Sequence, residues 1–215
     1  GTRGEIATYL SPNAIAFYNA NNTSYGELSV LPGSSTILGV SDSELYETLQ
    51  ALMVDNFKTQ TSYDDLKDLL PLTDTQKSST SNLTCFYTGN SVSSTWDSAA
   101  TWNREHVWPK SKNSDGETSN GNADAMALRP SNANINSSRG HKAFGQVTDT
   151  NYYFPNENTT QYDIRGDAAR SILYSYVRWG YATTSTTFGA SGVIESVDVM
   201  LTWMAEDPVD TWEMG

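Results

Sequence analysis

The sequence predicts an α+β protein that is mainly helical. Apolar residues recur at helical spacing in four segments, one short apolar run is typical of a buried strand, and small polar residues connect these segments. The chain has 215 residues, of which 37% are hydrophobic. A chain of this length can bury about two-thirds of the surface of its unfolded state. We therefore expect residues 1–215 to form a single domain.

Two helices are predicted before the strand. The first begins at Ser41, which has the spacing of a capping box with Glu44. Its apolar residues share one face: Leu45, Leu49, Leu52, Met53 and Phe57. The second is expected over residues 63–70 and ends before Pro71, because proline disfavours helical geometry in the residue that precedes it.

The strand and two further helices follow. Residues 83–88 are predicted to form a buried strand that ends at Gly89, and the polar stretches 75–82 and 111–122 are predicted to be loops. The segment DIRGDAARSILYSYVRWGY places five apolar residues on one helical stripe: Ala168, Ile172, Leu173, Tyr176 and Val177. The segment SVDVMLTWMAEDP predicts a last helix that ends before Pro208.

Cys85 is the single cysteine, so the chain can form neither an internal disulfide nor a cysteine-based zinc cluster. We interpret it as a buried, unreactive thiol, with a catalytic thiol as the alternative. No apolar run reaches the roughly 18 residues of a membrane span. The first residues lack the pattern of a signal peptide. We nevertheless expect a secreted or periplasmic protein whose signal peptide is absent from this sequence, since a composition rich in Ser, Thr and Asn is common in exported proteins.

The formal net charge of −12 argues against nucleic-acid binding through bulk electrostatics. The charges are unevenly distributed, however. Residues 103–143 carry six basic and four acidic side chains, a net charge of +2, which leaves −14 on the rest of the chain. A locally basic cleft can still hold a phosphodiester, and a bound metal ion would add two positive charges. We expect weak, salt-sensitive and nonspecific binding.

The segment WNREHVWPK at residues 102–110 places Glu105 directly beside His106. Neighbouring side chains on a strand point to opposite faces. A site that used both would need the strand to bend at its end, or would need the two groups on different sides of one phosphate. Taken alone, the pair is explained more simply as a surface ion pair or a hydrogen-bonded structural histidine.

A second polar segment, DAMALRPSNANINSSRGHKAFG, covers residues 124–145. Asparagine-rich turns usually cap and shape loops, and alone this segment would be interpreted in that way. Together the two segments supply what hydrolysis of a phosphodiester requires. Glu105 and Asn136 offer oxygen ligands to a hydrated divalent cation, and a neutral His106 can accept a proton from water. Arg129 and Arg139 are the candidates to stabilise the charge that develops on the phosphoryl oxygens.

At these residues the sequence resembles the endonuclease I family of bacterial nucleases, a branch of the His-Me finger (ββα-metal) nucleases, and in particular its extracellular Bacillus type. The family motifs R-E-H-V-W-P, D-x-H-x-L-R-P and V-N-S-x-R-G-N correspond to residues 104–109, 124–130 and 135–141. Flanking pieces also match, so the resemblance extends from about Phe17 to Glu213.

The resemblance implies a metal-dependent, sequence-nonspecific endonuclease that cleaves DNA, with RNA as a further candidate substrate, and leaves 5′-phosphates. It implies Glu105 and Asn136 as ligands of one divalent metal, Mg²⁺ first and Mn²⁺ or Ca²⁺ as alternatives, and His106 as the general base. It implies a small core of a β-hairpin and a helix. Four nearby side chains are expected to bind the substrate: Arg104, Lys110, His141 and Lys142. No obligate protein partner is evident.

The sequence departs from the family pattern in three places, and two of these departures, Met126 and the missing tail, motivate an alternative together with the acidic composition. Met126 stands where the family has the histidine of D-x-H, His141 stands where it has the asparagine of R-G-N, and the sequence ends at Gly215 without the family's basic tail. The alternative is a catalytically degenerate or truncated member that acts as a surface binding module. Another hydrolase, such as a glycosidase with paired carboxylates, is a further possibility that composition alone allows.

Overall fold

The computed structural model describes residues 42–76, 79–116, 118–155, 163–181 and 187–214. In this part of the chain the helices are α1 (Asp42–Asp55), α2 (Leu66–Thr73), α3 (Ala133–Arg139), α4 (Arg165–Arg178), α5 (Val197–Glu206) and α6 (Thr211–Met214). The strands are β1 (Thr75–Gln76), β2 (Ser79–Thr84), β3 (Ser91–Ser93), β4 (Trp102–His106), β5 (Leu128–Asn132), β6 (Ala143–Phe144) and β7 (Tyr152–Tyr153). Helices contain more of these residues than strands do, which agrees with a mixed, mainly helical α+β class.

The strands form three small sheets. β1, β2 and β3 make an antiparallel sheet in that order, β4 pairs with β5 in antiparallel orientation, and β6 pairs with β7 in parallel orientation. The helix α3 follows β5 without a gap and contacts both β4 and β5. A strand pair and a helix are thereby packed together around residues 102–139.

Three helices lie where the apolar spacing predicts them: α1, α4 and α5. Ser196 caps α5, since its hydroxyl oxygen accepts a hydrogen bond from the Val199 N–H. α5 ends at Glu206, which confirms the predicted end before Pro208. The predicted capping residue of α1, Ser41, lies outside the described residues.

The predicted end of the second helix is wrong. α2 begins at Leu66 and continues through Pro71 to Thr73. Leu66 and Leu70 are fully buried, and the Asp74 N–H donates to the Leu70 carbonyl oxygen, so the helix is held on both sides of the proline. Core packing here outweighs the local preference of the residue before proline.

The predicted strand at residues 83–88 is displaced. β2 ends at Thr84, and the polar stretch before it, which the sequence predicts as a loop, forms β1 and most of β2. Gly89 has a φ of +69°, a left-handed conformation that glycine adopts without strain, and its N–H donates to the Cys85 carbonyl oxygen. The chain therefore turns at residues 86–88, and the apolar side chains there are buried in a turn.

Two clusters of buried side chains hold the segment that contains Glu105 and His106. The smaller cluster joins α2 to the sheets: Leu66, Leu70, Leu83, Cys85, Trp102, Ala127 and Leu128. The larger cluster is built around α4 and α5 and includes Val107 and Trp108. Because Trp102 belongs to one cluster and Val107 to the other, β4 is fixed at both ends.

Cys85 is fully buried in the smaller cluster. Burial raises the pKa of its thiol to about 11, and the nearby negative charge of Asp74 acts in the same direction. The thiol is thus protonated and inaccessible at neutral pH, which agrees with the interpretation as a structural cysteine. Among the described helices, none has the length and apolar character that crossing a membrane requires.

Candidate active site

A cavity of about 840 Å³ lies at the end of β4. Six of the nine site residues predicted from the sequence line it: Arg104, Glu105, His106, Lys110, Asn136 and His141. Residues 60–63, 109–111 and 118–123 supply most of the remaining lining. The fold therefore brings an acid, an imidazole, an amide and several cationic groups to one open space.

Both members of the Glu-His pair reach this cavity because β4 ends there. Glu105 pairs with Arg129 and His106 pairs with Leu128 in the register with β5, and His106 is the last residue of the strand. Glu105 is almost wholly buried, whereas His106 is half-buried. Although neighbouring side chains on a strand point to opposite faces, both residues line the cavity at the point where β4 ends.

The imidazole of His106 is held in one tautomer. Its Nε2 atom lies 2.9 Å from the carbonyl oxygen of Asn122. A carbonyl oxygen can only accept, so Nε2 carries the hydrogen and Nδ1 retains its lone pair. The pKa of His106 is lowered to about 4, mainly by burial and also by the positive charges of Lys110 and Arg104, while the hydrogen bond to the Asn122 carbonyl opposes these effects. The ring is neutral at neutral pH, as a general base must be.

The turn that carries the Asn122 carbonyl is itself fixed. A 3₁₀ turn, Asn120–Ala123, is capped by the Ser119 hydroxyl, which accepts from the Gly121 N–H. The side chain of Asn122 accepts from Asn113 at 2.9 Å and donates to the Gly116 carbonyl oxygen at 3.1 Å. The acceptor for His106 is therefore part of a folded turn within a stretch that the sequence predicts as a loop.

Asp124 attaches this turn to α4. One oxygen of its buried carboxylate accepts from the Tyr174 hydroxyl at 2.7 Å and from the Trp179 indole at 2.8 Å, and the other accepts from the Met126 N–H. Met126 is 58% exposed and does not line the cavity. The replacement of the family's histidine by methionine thus lies outside the lining.

Glu105 is part of a buried ion pair. Its Oε1 atom accepts from the Tyr87 hydroxyl at 2.5 Å and from NH1 of Arg139 at 2.5 Å. Burial raises the pKa of Glu105 above its usual value, while Arg139 and Tyr87 oppose that rise. Burial also keeps the Tyr87 hydroxyl protonated, since it raises that pKa strongly. Both contacts use Oε1, so Oε2 is the oxygen with which Glu105 can bind another ligand.

Arg139 is enclosed by protein. It is fully buried, and besides the ion pair it donates to the carbonyl oxygens of His106 and Val107, each at 3.0 Å. Its guanidinium carbon lies 4.4 Å from the ring centroid of Phe144. In this position the guanidinium of Arg139 faces Glu105 and the backbone, and Arg139 is not among the residues that line the cavity. Arg129 and Lys142 also lie outside the cavity lining.

Asn136 lies in the short helix α3. The Asn132 side chain caps this helix by accepting from the N–H groups of Asn134 and Ile135. The Asn136 side-chain nitrogen donates to the side-chain oxygen of Asn103 at 2.6 Å. That contact uses the nitrogen, which leaves the amide oxygen as the atom that can face a cation.

The donor set suits one hydrated, hard divalent ion. In the part of the chain that the structure describes, no three histidine, cysteine or acidic side chains come together as a metal site. Glu105 and Asn136 instead offer one carboxylate and one amide oxygen at the same cavity. Mg²⁺ accepts such a sparse set because it retains several of its waters, whereas Ca²⁺ usually takes more protein oxygens.

Sequence reasoning did not assign roles to four residues that shape this site: Tyr63, Tyr87, Asn122 and Asp124. Tyr87 is 18 positions from its partner Glu105, and Asn122 is 16 positions from His106. No local periodicity links residues so far apart in the chain. Two of the four had a signal, since Asp124 is the first residue of the D-x-H-x-L-R-P motif and Tyr87 lies in the flanking segment FYTG, which also resembles the family.

This arrangement defines a mixed α+β protein in which a histidine, a carboxylate and an amide share one cavity with cationic side chains. The model of the endonuclease I family matches residues 41–215, and the chain belongs to that family. The extracellular ribonuclease of Bacillus amyloliquefaciens is 31% identical over 171 residues, and that of Bacillus subtilis (strain 168) is 30% identical over 191 residues. The matches cover 72% and 81% of this chain but only 59% and 66% of the relatives. No solved structure is significantly similar.

Proposed function

We propose that this protein is a metal-dependent endonuclease that hydrolyses phosphodiester bonds in nucleic acids without sequence preference and leaves 5′-phosphates. The observation that carries the proposal is His106, a neutral imidazole of fixed tautomer that shares the cavity with the Glu105 carboxylate. Membership of the endonuclease I family supports the same reaction. The paired strands β4 and β5 followed by α3 support the assignment of a ββα-metal core.

Each group in the cavity has a distinct task in this proposal. His106 accepts the proton of the attacking water at Nδ1, because Nε2 is already bound to the Asn122 carbonyl. Glu105 and Asn136 would hold one divalent cation, which when bound would stabilise negative charge at the phosphate. Arg104 and Lys110 bind the phosphate, with His141 beside them.

The burial of Arg139 supports a different division of roles between the arginines. Because Arg139 is buried against Glu105, we assign it to positioning that carboxylate, and the phosphate contact falls to Arg104, which lines the cavity. We assign no role in the reaction to Arg129 or Lys142, which are not part of the lining. His106 and Glu105 keep the roles that the sequence suggested.

The names of the relatives bear on substrate and location. Both are called extracellular ribonucleases, which supports RNA as a substrate beside DNA and supports secretion. The cavity presents cations and small polar groups to the phosphate backbone, and contacts of that kind carry no base information. Because the phosphate contacts are made by cationic side chains such as Arg104 and Lys110, binding is expected to weaken as salt rises.

Nicking of supercoiled plasmid tests the reaction directly. We expect Mg²⁺ or Mn²⁺ to support nicking and EDTA to abolish it, because the proposed reaction needs the cation that Glu105 and Asn136 would hold to stabilise negative charge at the phosphate. A single-stranded RNA of mixed sequence should be cut under the same conditions, at many positions. Binding of either nucleic acid without cleavage under any divalent metal would instead favour a degenerate binding module.

The metal ligands are tested by calorimetric titration. Replacing Asn136 with alanine is expected to weaken Mn²⁺ binding by about 10- to 100-fold, the scale seen when a group that supports a metal site is removed. Glu105→Gln should weaken it at least as much, because the carboxylate charge is lost. Asn134→Ala is the matched control, since Asn134 is an exposed asparagine of the same helix that does not line the cavity. Unchanged Mn²⁺ affinity in both ligand variants would remove these residues from the proposed site.

A further inference from the structure

Tyr63 contacts two of the groups to which the proposed reaction gives a role. Its ring is stacked on the imidazole of His106, with the centroids 5.5 Å apart and the planes inclined by 20°. The guanidinium carbon of Arg104 lies 3.6 Å from the Tyr63 ring centroid. NH1 of Arg104 also donates to the Tyr63 carbonyl oxygen at 2.5 Å. Tyr63 lines the cavity and is 42% exposed, so packing in a buried core does not account for its position.

The hydrogen bond to Asn122 does not by itself fix the plane of the imidazole. It holds one atom, Nε2, while the torsion that turns a histidine ring has broad minima. Rotation of the ring about the Cβ–Cγ bond of His106 would carry Nδ1 away from the direction of the attacking water. A second aromatic ring stacked nearly parallel to the imidazole restricts that rotation, and Tyr63 supplies it.

The segment that carries Tyr63 is tied to the turn that carries the Asn122 carbonyl. The hydroxyl of Thr61 donates to the Ala123 carbonyl oxygen, and the side chain of Gln60 donates to the Asn120 carbonyl oxygen at 3.1 Å. The ring above the imidazole and the acceptor at its edge therefore belong to one connected unit. His106 is held from two directions by this unit.

We propose that Tyr63 is a positioning residue whose ring sets the plane of the His106 imidazole so that Nδ1 faces the attacking water. The proposal rests on the base role of His106 proposed above. Arg104 depends less on this ring, because the main-chain carbonyl of Tyr63 and the ring of Trp96, 4.8 Å from the guanidinium carbon, also hold it.

Kinetics of Tyr63→Ala and Tyr63→Phe test the role. The alanine variant is expected to lower kcat on the order of 10- to 100-fold, the scale at which a small misplacement of a reacting group acts. KM should change much less, because the remaining contacts of Arg104 persist. The phenylalanine variant retains the stacked ring and should restore kcat close to that of the parent. Phe188→Ala is the control, since it removes a ring of similar exposure, 39%, that does not line the cavity.

Proton NMR tests the stacking without substrate or turnover. The chain has two histidines, and His141→Asn identifies the signals of His106 by elimination. In the parent protein the Tyr63 ring current should shift the His106 ring protons upfield. The shift should disappear in Tyr63→Ala and persist in Tyr63→Phe. Tyr63→Leu, which keeps an apolar contact but has no ring, serves the same purpose if the alanine variant does not fold.

Three outcomes would overturn the proposal: a full kcat in both ringless variants, an unchanged histidine shift in them, or a phenylalanine variant as impaired as alanine. The last would assign the role to the hydroxyl. Failure of the proposed function is a separate result. If His106→Ala were fully active, His106 would not be the base, whereas the NMR comparison would still show whether the Tyr63 ring sets the imidazole plane.

Discussion

Replacing His106 with alanine is expected to lower kcat by about two to four orders of magnitude, the contribution typical of a positioned general base. The neutral imidazole with Nδ1 available is the group in the described cavity best suited to accept a proton from water. KM and Mn²⁺ affinity should change little, because Arg104, Glu105 and Asn136 are left in place. Single-turnover cleavage of a short fluorescent oligonucleotide, with metal saturating, measures the chemical step.

Two comparisons make this result specific to the base. Added imidazole should restore part of the activity of His106→Ala, because the substitution leaves space beside an open cavity. His141→Ala removes the other histidine, which is exposed at the cavity rim, and should raise KM more than it lowers kcat. An alanine variant at position 106 with parental kcat would end the assignment of His106 as base.

Replacing Arg139 with methionine is expected to destabilise the metal-free protein by about 3–5 kcal/mol, the usual effect of removing one partner of a buried ion pair. The substitution leaves the Glu105 carboxylate buried with the Tyr87 hydroxyl as its remaining described contact. It also removes donors to the carbonyl oxygens of His106 and Val107, which hold the end of β4. Urea unfolding in EDTA measures the free energy of unfolding.

A double-mutant cycle separates the contribution of the ion pair to the free energy of unfolding from the effect of losing the bulk of the arginine side chain. Adding Glu105→Gln to Arg139→Met should recover part of the lost stability, because the unpaired buried charge of Glu105 is then removed. Lys67→Met breaks the exposed pair of Lys67 with Asp64, whose side chain is 79% exposed, and should change stability by less than about 1 kcal/mol. If Arg139→Met lowered the free energy of unfolding no more than Lys67→Met does, the ion pair with Arg139 would not be the contact that holds Glu105 in place.

The outcomes for individual elements show how far local rules reach. Apolar spacing located α1, α4 and α5 because each buries one face along a continuous stretch of chain. The rule for the residue before proline was wrong at Pro71, where the buried Leu66 and Leu70 hold the helix through the proline. The apolar run at residues 83–88 was wrong as a strand, because side chains can be equally buried in a turn.

By itself, the sequence determined the family, the mixed α+β class and the adjacency of an acid and a histidine, since these follow from contiguous motifs and from helical spacing. The tertiary structure alone decided which arginine is buried, which tautomer His106 adopts and which ring covers it. Those properties depend on contacts between residues 16 to 43 positions apart, such as His106 with Asn122 and with Tyr63. Contacts of that kind arise when separate elements pack around shared cores, and no local pattern in the chain records them.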